Sequence, residues 1–529
     1  MSKKMTLVRN FDLLKTSSPI QSKKLYDENS IDLDIQRNLT YLVNTLGQSS
    51  DFKYREIETT LSQPTSLFIS YLFGMASEDY INSYIVKALR QAHFPSASLL
   101  STGLFSVVKK QVLNVAAVKE TYHMDVVIDS ILLGKTVIFL PGFNKALVAE
   151  SQEIHTRQIE EPDTEANVRG SREGFTEDIT LNTTLIRKRI RNSDLTLEDM
   201  NIGKNAKTVV RLIYMKGFAD EHIVHEVKQR LKSIKQVDIL ESGYIEQLIE
   251  DYPYSLFPTI ANSEKPDKVV GKILKGRVAI LCEGTPFVLT LPHLFIENFQ
   301  VHEDYSSKFY ISSLVRLFRI ISLFLTVLTP ALFVAVSTFH QEMIPSVFLV
   351  TIAASEERVP FPLFLEAMVM IFLFELLKEA GVRMPRPIGS AVTIVGALIL
   401  GEAAVQAGVV SAPMVIVVAL TAITGFIVSS LNSIIVLSRF LLLFAGGLFG
   451  FFGILMGSII LLAHACSLRS FGVPYLEPFG PIVLSELKDS IIRFPLQKLK
   501  SKPEHFIRED YEQHNTEKHS ESSITNHKD

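Results

Sequence analysis

The sequence predicts a cytoplasmic α/β region with two subdomains, followed by an α-helical polytopic membrane domain, and three observations carry that prediction. Charge is segregated: residues 1–308 mix charged and apolar side chains throughout, whereas Pro387 to Ser438 holds a single formal charge, Glu402. Ile320 to Phe339 is twenty residues without a formal charge, which at 1.5 Å each cover about 30 Å, the thickness of a hydrocarbon core. Within the charged half, two stretches 142 residues apart echo each other. The 529 residues leave room for about three or four units at roughly 150 residues each.

Taken in order, residues 1–40 are expected as a flexible N-terminal segment, 41–200 and 201–308 as the two subdomains, 309–467 as the membrane domain, and 468–529 as a cytoplasmic C-terminal segment with a disordered end. The opening MSKKMTLVRNFDLLKTSSPIQSKK is basic but has no continuous apolar stretch, so it does not read as a secretory signal. The first 308 residues are therefore expected in the cytoplasm.

The echo pairs ILLGKTVIFLPGFNKALV, from Ile131, with ILKGRVAILCEGTPFVLT, from Ile273. Gly134 and Gly276 fall between two short apolar runs, and Gly142 and Gly284 end the second run. Such positions suit tight turns, so two related β-hairpins are predicted, one per subdomain. Between them Thr208 to Met215 alternates as a strand does, and Val224, Val227, Leu231 and Ile234 recur at helical spacing.

Four further apolar runs follow the first: Phe361 to Leu377, Ile388 to Ala407, Ala412 to Leu437 and Phe440 to Ala465. Ile344 to Ala354 has only eleven residues and suits an interfacial or re-entrant piece. Lys308, Arg316 and Arg319 place the start of the first span inside, and Lys378, Arg383 and Arg386 do the same for the link after the second. Glu486 to Lys502, with five basic and two acidic side chains, argues for a cytoplasmic tail. Five full crossings that start inside would end outside, so an even number is expected and one segment must be exceptional.

Several chemistries are excluded. With 53 basic against 56 acidic residues and a net charge of −3, no global case exists for a nucleic-acid partner. Cys282 and Cys466 lie far apart, which excludes a disulfide framework and a cysteine-rich zinc site. His222 and His225 lack a third ligand nearby, and Gly170 and Gly174 do not have phosphate-loop spacing. The acids Asp163, Glu165, Glu173, Glu177 and Asp178 with Arg169 and Arg172 read as an ion-pair network. No cofactor, metal site or enzymatic activity is expected.

The segment VRGSREGFTEDITLNTTLIRKRI, from Val168, contains Arg169, Gly170, Arg172, Glu173, Gly174 and Phe175. Together with CEGTPFVLTLP at Cys282, HEDYS at His302 and VPFPLFLEAMVMIFLFELLKEAGVRMPRPIGSAVTIVGALILGEAAVQAG at Val359, it resembles the A-type subunit of spore germinant receptors, the GerA family, over about residues 40 to 500. Ser171 stands where that family commonly has Pro, a change expected to loosen the loop. The resemblance implies a nutrient-sensing complex in the spore inner membrane. Its implied partners are a B-type transporter-like subunit that binds the germinant and a C-type lipoprotein. A-type subunits of this family are thought to form a homo-oligomeric, pentameric cation channel. A membrane transporter for a small solute or ion and a non-conducting scaffold are the competing readings.

Within that role, Glu402, Glu366, Thr421 and Asn432 are the candidates for pore or gating positions. Glu402 is first because a carboxylate in so apolar a region needs water or a partner. Thr421, Gly425, Ser429 and Asn432 form a small or polar face that could line a wet passage or bond between helices. Glu375 and Glu379 are expected at the cytoplasmic interface. Gly446, Gly450, Gly453 and Gly457 are expected on one helical face, forming a packing seam.

Overall fold

Short β-branched runs separated by glycine turns build the N-terminal half into two five-stranded antiparallel sheets of the same topology. The structure is a computed structural model, and it describes residues 29–58, 66–91, 103–115, 117–153, 165, 170–235, 237–383, 401–483, 486–495 and 497. Most of the expected flexible segment 1–40, Arg169, most of the run 388–407, and the tail after 497 lie outside them.

The first unit contains α1 (Ile35–Leu46), β1 (Phe52–Glu58), β2 (Ser66–Leu72), β3 (Val118–Thr121), α2 (Met124–Leu132), β4 (Thr136–Phe139) and β5 (Ala146–Ala149). Its strands lie in the order β1-β2-β4-β5-β3. The second contains α3 (Ile179–Arg189), β6 (Leu195–Ile202), β7 (Thr208–Met215), α4 (Glu221–Ser233), α5 (Ser242–Ile249), β8 (Ala261–Ser263), α6 (Pro266–Ile273), β9 (Val278–Cys282) and β10 (Val288–Leu291), in the order β6-β7-β9-β10-β8. The echo is thus a duplication of the whole unit. The hairpins β4–β5 and β9–β10 sit 142 residues apart, and Gly134 and Gly276 enter them at φ 81° and 85°. An alanine at Gly134 would also stand 2.6 Å from the Met75 carbonyl, so the turn needs glycine twice over.

Each unit begins with the same helix start. Asp34 and Asp178 cap α1 and α3. Four residues on, Asn38 and Asn182 are buried and reach back to the lead-in strand: Asn182 Nδ2 donates to Thr176 O at 2.6 Å and its Oδ1 accepts from Thr176 N at 2.7 Å. Asn38 makes the same pair with Asp32.

The units are tied by one buried ion pair. Arg187 on α3 and Asp51 before β1 are each 1% exposed and bond at 2.8 and 3.1 Å, while Ser49 Oγ accepts from Arg187 and from Leu197 N.

The C-terminal region is helical: α7 (Phe309–Phe339), α8 (Ser346–Glu356), α9 (Leu363–Arg383), helical residues 401–406, α10 (Ala412–Ile427) and α11 (Asn432–Ser467). Among the described residues α7 and α11 are long and apolar enough to cross a membrane, with mean hydropathy 2.3 and 2.2 over their most apolar windows. The run Ala412 to Leu437 is not one helix. It breaks at 428–431, where Ser429, Ser430 and Asn432 interrupt the apolar sequence.

A second departure falls at Gly450, whose φ of 60° and ψ of −142° leave the helix. A Cβ at Gly446 would stand 3.0 Å from Ile454, and one at Gly457 2.6 Å from Leu442. In a straight helix residues 442 and 457 are about 22 Å apart. Residues 432–449 and 451–467 therefore fold back on each other as a helical hairpin with Gly450 at its corner. Both of its open ends return to the second unit, where Ile434, Ile435, Ala465 and Leu468 share one core with Val227, Phe257 and Tyr475. The short pair β11 (Arg469–Ser470) and β12 (Val473–Pro474) then fastens the chain to that unit through Ser470 Oγ, which donates to Thr259 O at 2.6 Å.

Candidate functional site

Where α7 leaves the second unit, positive side chains meet buried acids. Arg316, fully buried, holds Asp304 at 2.8 Å and Asp489 at 2.9 Å, and Arg319 holds Asp304 at 2.9 Å. Tyr305 donates to Asp489 Oδ2 at 2.5 Å. Arg493, 2% exposed, closes the cluster by donating to the carbonyls of Asp304 and Ser307 at 2.5 and 2.8 Å. Residues 486–495 thereby return to the base of α7. Arg316 and Arg319, read from sequence as flanking charges, are structural members of this cluster. Removing one partner of such a buried network leaves an uncompensated charge, at a cost of about 3–5 kcal/mol.

A polar centre lies inside the helical bundle among the described residues. Arg439, 2% exposed, donates to Glu375 at 2.8 Å and to Thr326 O at 3.1 Å, and Thr326 Oγ1 donates to Thr424 Oγ1 at 2.6 Å. Lys378 lies 3.7 Å from Glu375 and also bonds Asn432. Glu375, expected only at the interface, is instead the partner of a buried arginine. Sequence reasoning missed Arg439, although the signal was present: a lone charge between two apolar runs needs a carboxylate, and Glu375 was within the neighbouring run.

The pore candidates fall in different settings. Glu366 is 2% exposed, and its Oε1 accepts from Ser411 N and Oγ, both at 2.7 Å. Thr421 is 1% exposed and donates to Val417 O, a bond within its own helix. Asn432 is exposed at the start of α11. Glu402 is exposed as well, and accepts from Gln406 at 3.0 Å. It lies less than two helical turns from Gly408, which packs against the Arg358 carbonyl. Of these four, none is brought into contact with another.

The four glycines do not share a face of one regular helix, because Gly450 turns the chain. Gly446 belongs to the first arm and Gly453 and Gly457 to the second, and all three lie where the arms touch. The Cβ missing at Gly453 would collide with the Ala445 carbonyl.

The loop at Gly170 leads into α3. Glu173 pairs with Arg189, Gly174 is buried, and Phe175, 7% exposed, donates its N–H to Glu264 O at 2.7 Å. Ser171 Oγ accepts from Glu173 N at 3.3 Å and from Arg189 at 3.2 Å, so the hydroxyl anchors the loop where a proline ring was expected to be missed. Of the acids expected in one network with Arg169 and Arg172, Glu165 pairs instead with Lys268 at 2.7 Å and Glu173 with Arg189, and Asp178 serves as the α3 cap.

Charge inside the second unit centres on Glu297. Burial pushes its carboxyl up, but Arg277, Lys272 and His293 outweigh that and hold it well below the usual carboxylate range. Burial lowers His293 and brings Lys272 down to about 8. Burial also raises the Cys282 thiol to about 12, so it is no nucleophile at neutral pH. His222 and His225 are exposed on α4, and among the described residues no cluster of three potential metal ligands occurs.

Residues 40–505 match the family described as Bacillus/Clostridium GerA spore germination protein. The chain is 42% identical to spore germination protein KA of Bacillus subtilis over 478 residues, covering 90% of this chain and 87% of that one. It is 35% identical to spore germination protein B1 of the same organism, covering 89% and 97%. The crystal structure of the N-terminal domain of the A subunit of the Bacillus megaterium spore germinant receptor GerK3 is similar at 32% identity and a TM-score of 0.39, covering 50% of this chain and 97% of that one.

Proposed function

Because the chain belongs to the Bacillus/Clostridium GerA spore germination family and works in a germinant receptor at the inner membrane, we propose that it turns germinant binding into ion release as a homo-oligomeric, ligand-gated cation channel. It is not an enzyme. GerA-family receptors act with B- and C-type subunits, and in this reading the B-type subunit binds the germinant while this chain conducts.

The observation that carries the reading is Glu402. An exposed carboxylate on a helix of the apolar region needs water, at the end of the bundle or in a passage through it, or a second copy of the chain against it. A ring of copies around a wet path supplies both, and places a ring of acids where cations pass. The return of residues 486–495 to the base of α7 supports an even number of crossings, with the N-terminal units and the C-terminal segment both cytoplasmic.

The test is reconstitution of this chain with its B- and C-type partners, germinant titration and recording of ion flux. Germinant-dependent current that requires this chain is the expected result. Uptake of germinant by this chain alone would replace the channel with a transporter, and assembly without any flux would leave a scaffold.

A further inference from the structure

A cavity of about 490 Å³ lies between the second sheet and the inner ends of the membrane helices, within the range of about 300–1,000 Å³ typical of small-ligand sites. Lys265, Lys268, Lys272 and His293 line it from the soluble side, and Arg319 and Ile427 from α7 and α10. Three of its cations have carboxylate partners: Lys268 with Glu165 at 2.7 Å, Lys272 with Glu297 at 3.2 Å, and Arg319 with Asp304 at 2.9 Å. Lys265 is different. It is 3% exposed, and its buried ammonium has no hydrogen-bond partner among the described residues. Glu246, the remaining carboxyl on the cavity, bonds Asn262, and burial raises it to about 7, so it carries only part of a counter-charge.

An unpaired ammonium is costly to bury, and folding around one makes sense when a counter-ion completes the site. We propose that this cavity binds a phosphate-bearing anion held by Lys268 and Lys272 on its wall, with the uncompensated charge of Lys265, whose ammonium is closed off from solvent, buried behind them. Lysine ammoniums suit phosphate as compact point charges. Because α7 and α10 contribute to the wall, the phosphate is at the depth of a lipid headgroup, and an anionic phospholipid or a soluble phosphate ester would supply the same chemistry. The site does not depend on whether the chain conducts.

The chain has no tryptophan, so Phe287→Trp on the cavity wall gives a single fluorescent reporter. The full-length reporter protein is placed in nanodiscs of phosphatidylcholine. One arm adds glycerol 3-phosphate, and the other replaces increasing fractions of the lipid with phosphatidylglycerol. A saturable change in either arm is expected; a response to phosphatidylglycerol alone assigns a lipid, and a response to glycerol 3-phosphate assigns a soluble ester. Lys265→Gln should weaken the apparent affinity at least tenfold. Lys268→Gln, at a more exposed residue and so milder for folding, should weaken it at least threefold, while the distant Lys109→Gln changes nothing. No saturable response in either arm, or one unchanged by Lys268→Gln and by any folded Lys265→Gln protein, would overturn the proposal.

Discussion

Glycine-to-alanine changes distinguish a helical hairpin from a straight helix by the sign of their effect. At Gly271, inside α6, an added Cβ meets nothing within 4 Å, so alanine mainly removes freedom from the unfolded chain and should stabilise by about 0.5–1 kcal/mol. At Gly453 the same Cβ would run into the Ala445 carbonyl of the facing arm, and forcing the arms apart should cost about 1–3 kcal/mol. At Gly450 an alanine would have to hold φ 60° and ψ −142° while standing 3.1 Å from His340 and 3.2 Å from Phe339. Strain of that kind costs about 1–3 kcal/mol. Were residues 432–467 one straight helix, both positions would be helix interior and alanine would help, as at Gly271. The assay is the fraction of full-length protein that stays monodisperse in detergent after heating, measured by size exclusion. At about 2–4 °C per kcal/mol for a domain of this size, Gly450→Ala and Gly453→Ala should each lower the midpoint by about 2–12 °C. Gly271→Ala should leave it unchanged or raise it. A midpoint equal to or above that of the parent in both hairpin variants would refute the folding-back of α11.

Glu402→Gln keeps size and hydrogen bonding but removes the charge, so the variant should assemble normally and change single-channel conductance or cation preference; identical conductance, preference and pH response would remove Glu402 from the pathway. Single cysteines at Ser17 and Ser520 should be protected from the same side of oriented membranes, and opposite accessibility would rule out an even number of crossings. Glu375→Gln should lose about 3–5 kcal/mol by leaving Arg439 unpaired in the bundle, seen as lower yield of monodisperse protein, and the pair Glu375→Gln with Arg439→Gln should recover much of it. Acid should act on the second unit with two opposed effects and then a loss. His293, lowered by burial from 6.5, lets the unfolded chain bind a proton first and removes stability below about pH 6.5, while Glu246, raised by burial to about 7, binds its proton first in the folded chain and offsets that loss; Glu297, held below 4.5, removes stability again below about pH 4.5. Urea unfolding followed by tyrosine fluorescence should show Glu246→Gln uncovering the loss below about pH 6.5, and His293→Gln leaving only the loss below about pH 4.5.

The duplicated hairpins were legible because a turn glycine at fixed spacing is a local signal: Gly134 and Gly276 mark the same corner in both units. The rest of the duplication had a signal that went unread, since DIQRN at Asp34 and DITLN at Asp178 start α1 and α3 alike. Polar partners were less legible. Arg316 and Arg319 stand out as basic residues beside an apolar run, but nothing local says that Asp304 and Asp489 will neutralise them, because Asp489 arrives from 173 positions away. The hairpin in α11 was hidden for a different reason. Hydropathy sees apolar composition, and a run of glycines at spacings of four and three fits a straight packing face as well as a corner. Only the backbone angle at Gly450 separates the two.

Clamping by Asp304 and Asp489 turns α7 into a lever with its fulcrum at Arg316. From there to Phe339 the helix rises about 35 Å, so a tilt of about 5° at the base sweeps the far tip through about 3 Å. That tip carries Phe339 and His340, which pack so closely on Gly450 that a Cβ there would stand 3.1 Å from His340 and 3.2 Å from Phe339. A small rocking of the second unit would therefore arrive, as a shift of about 3 Å, at the corner where the two arms of α11 meet.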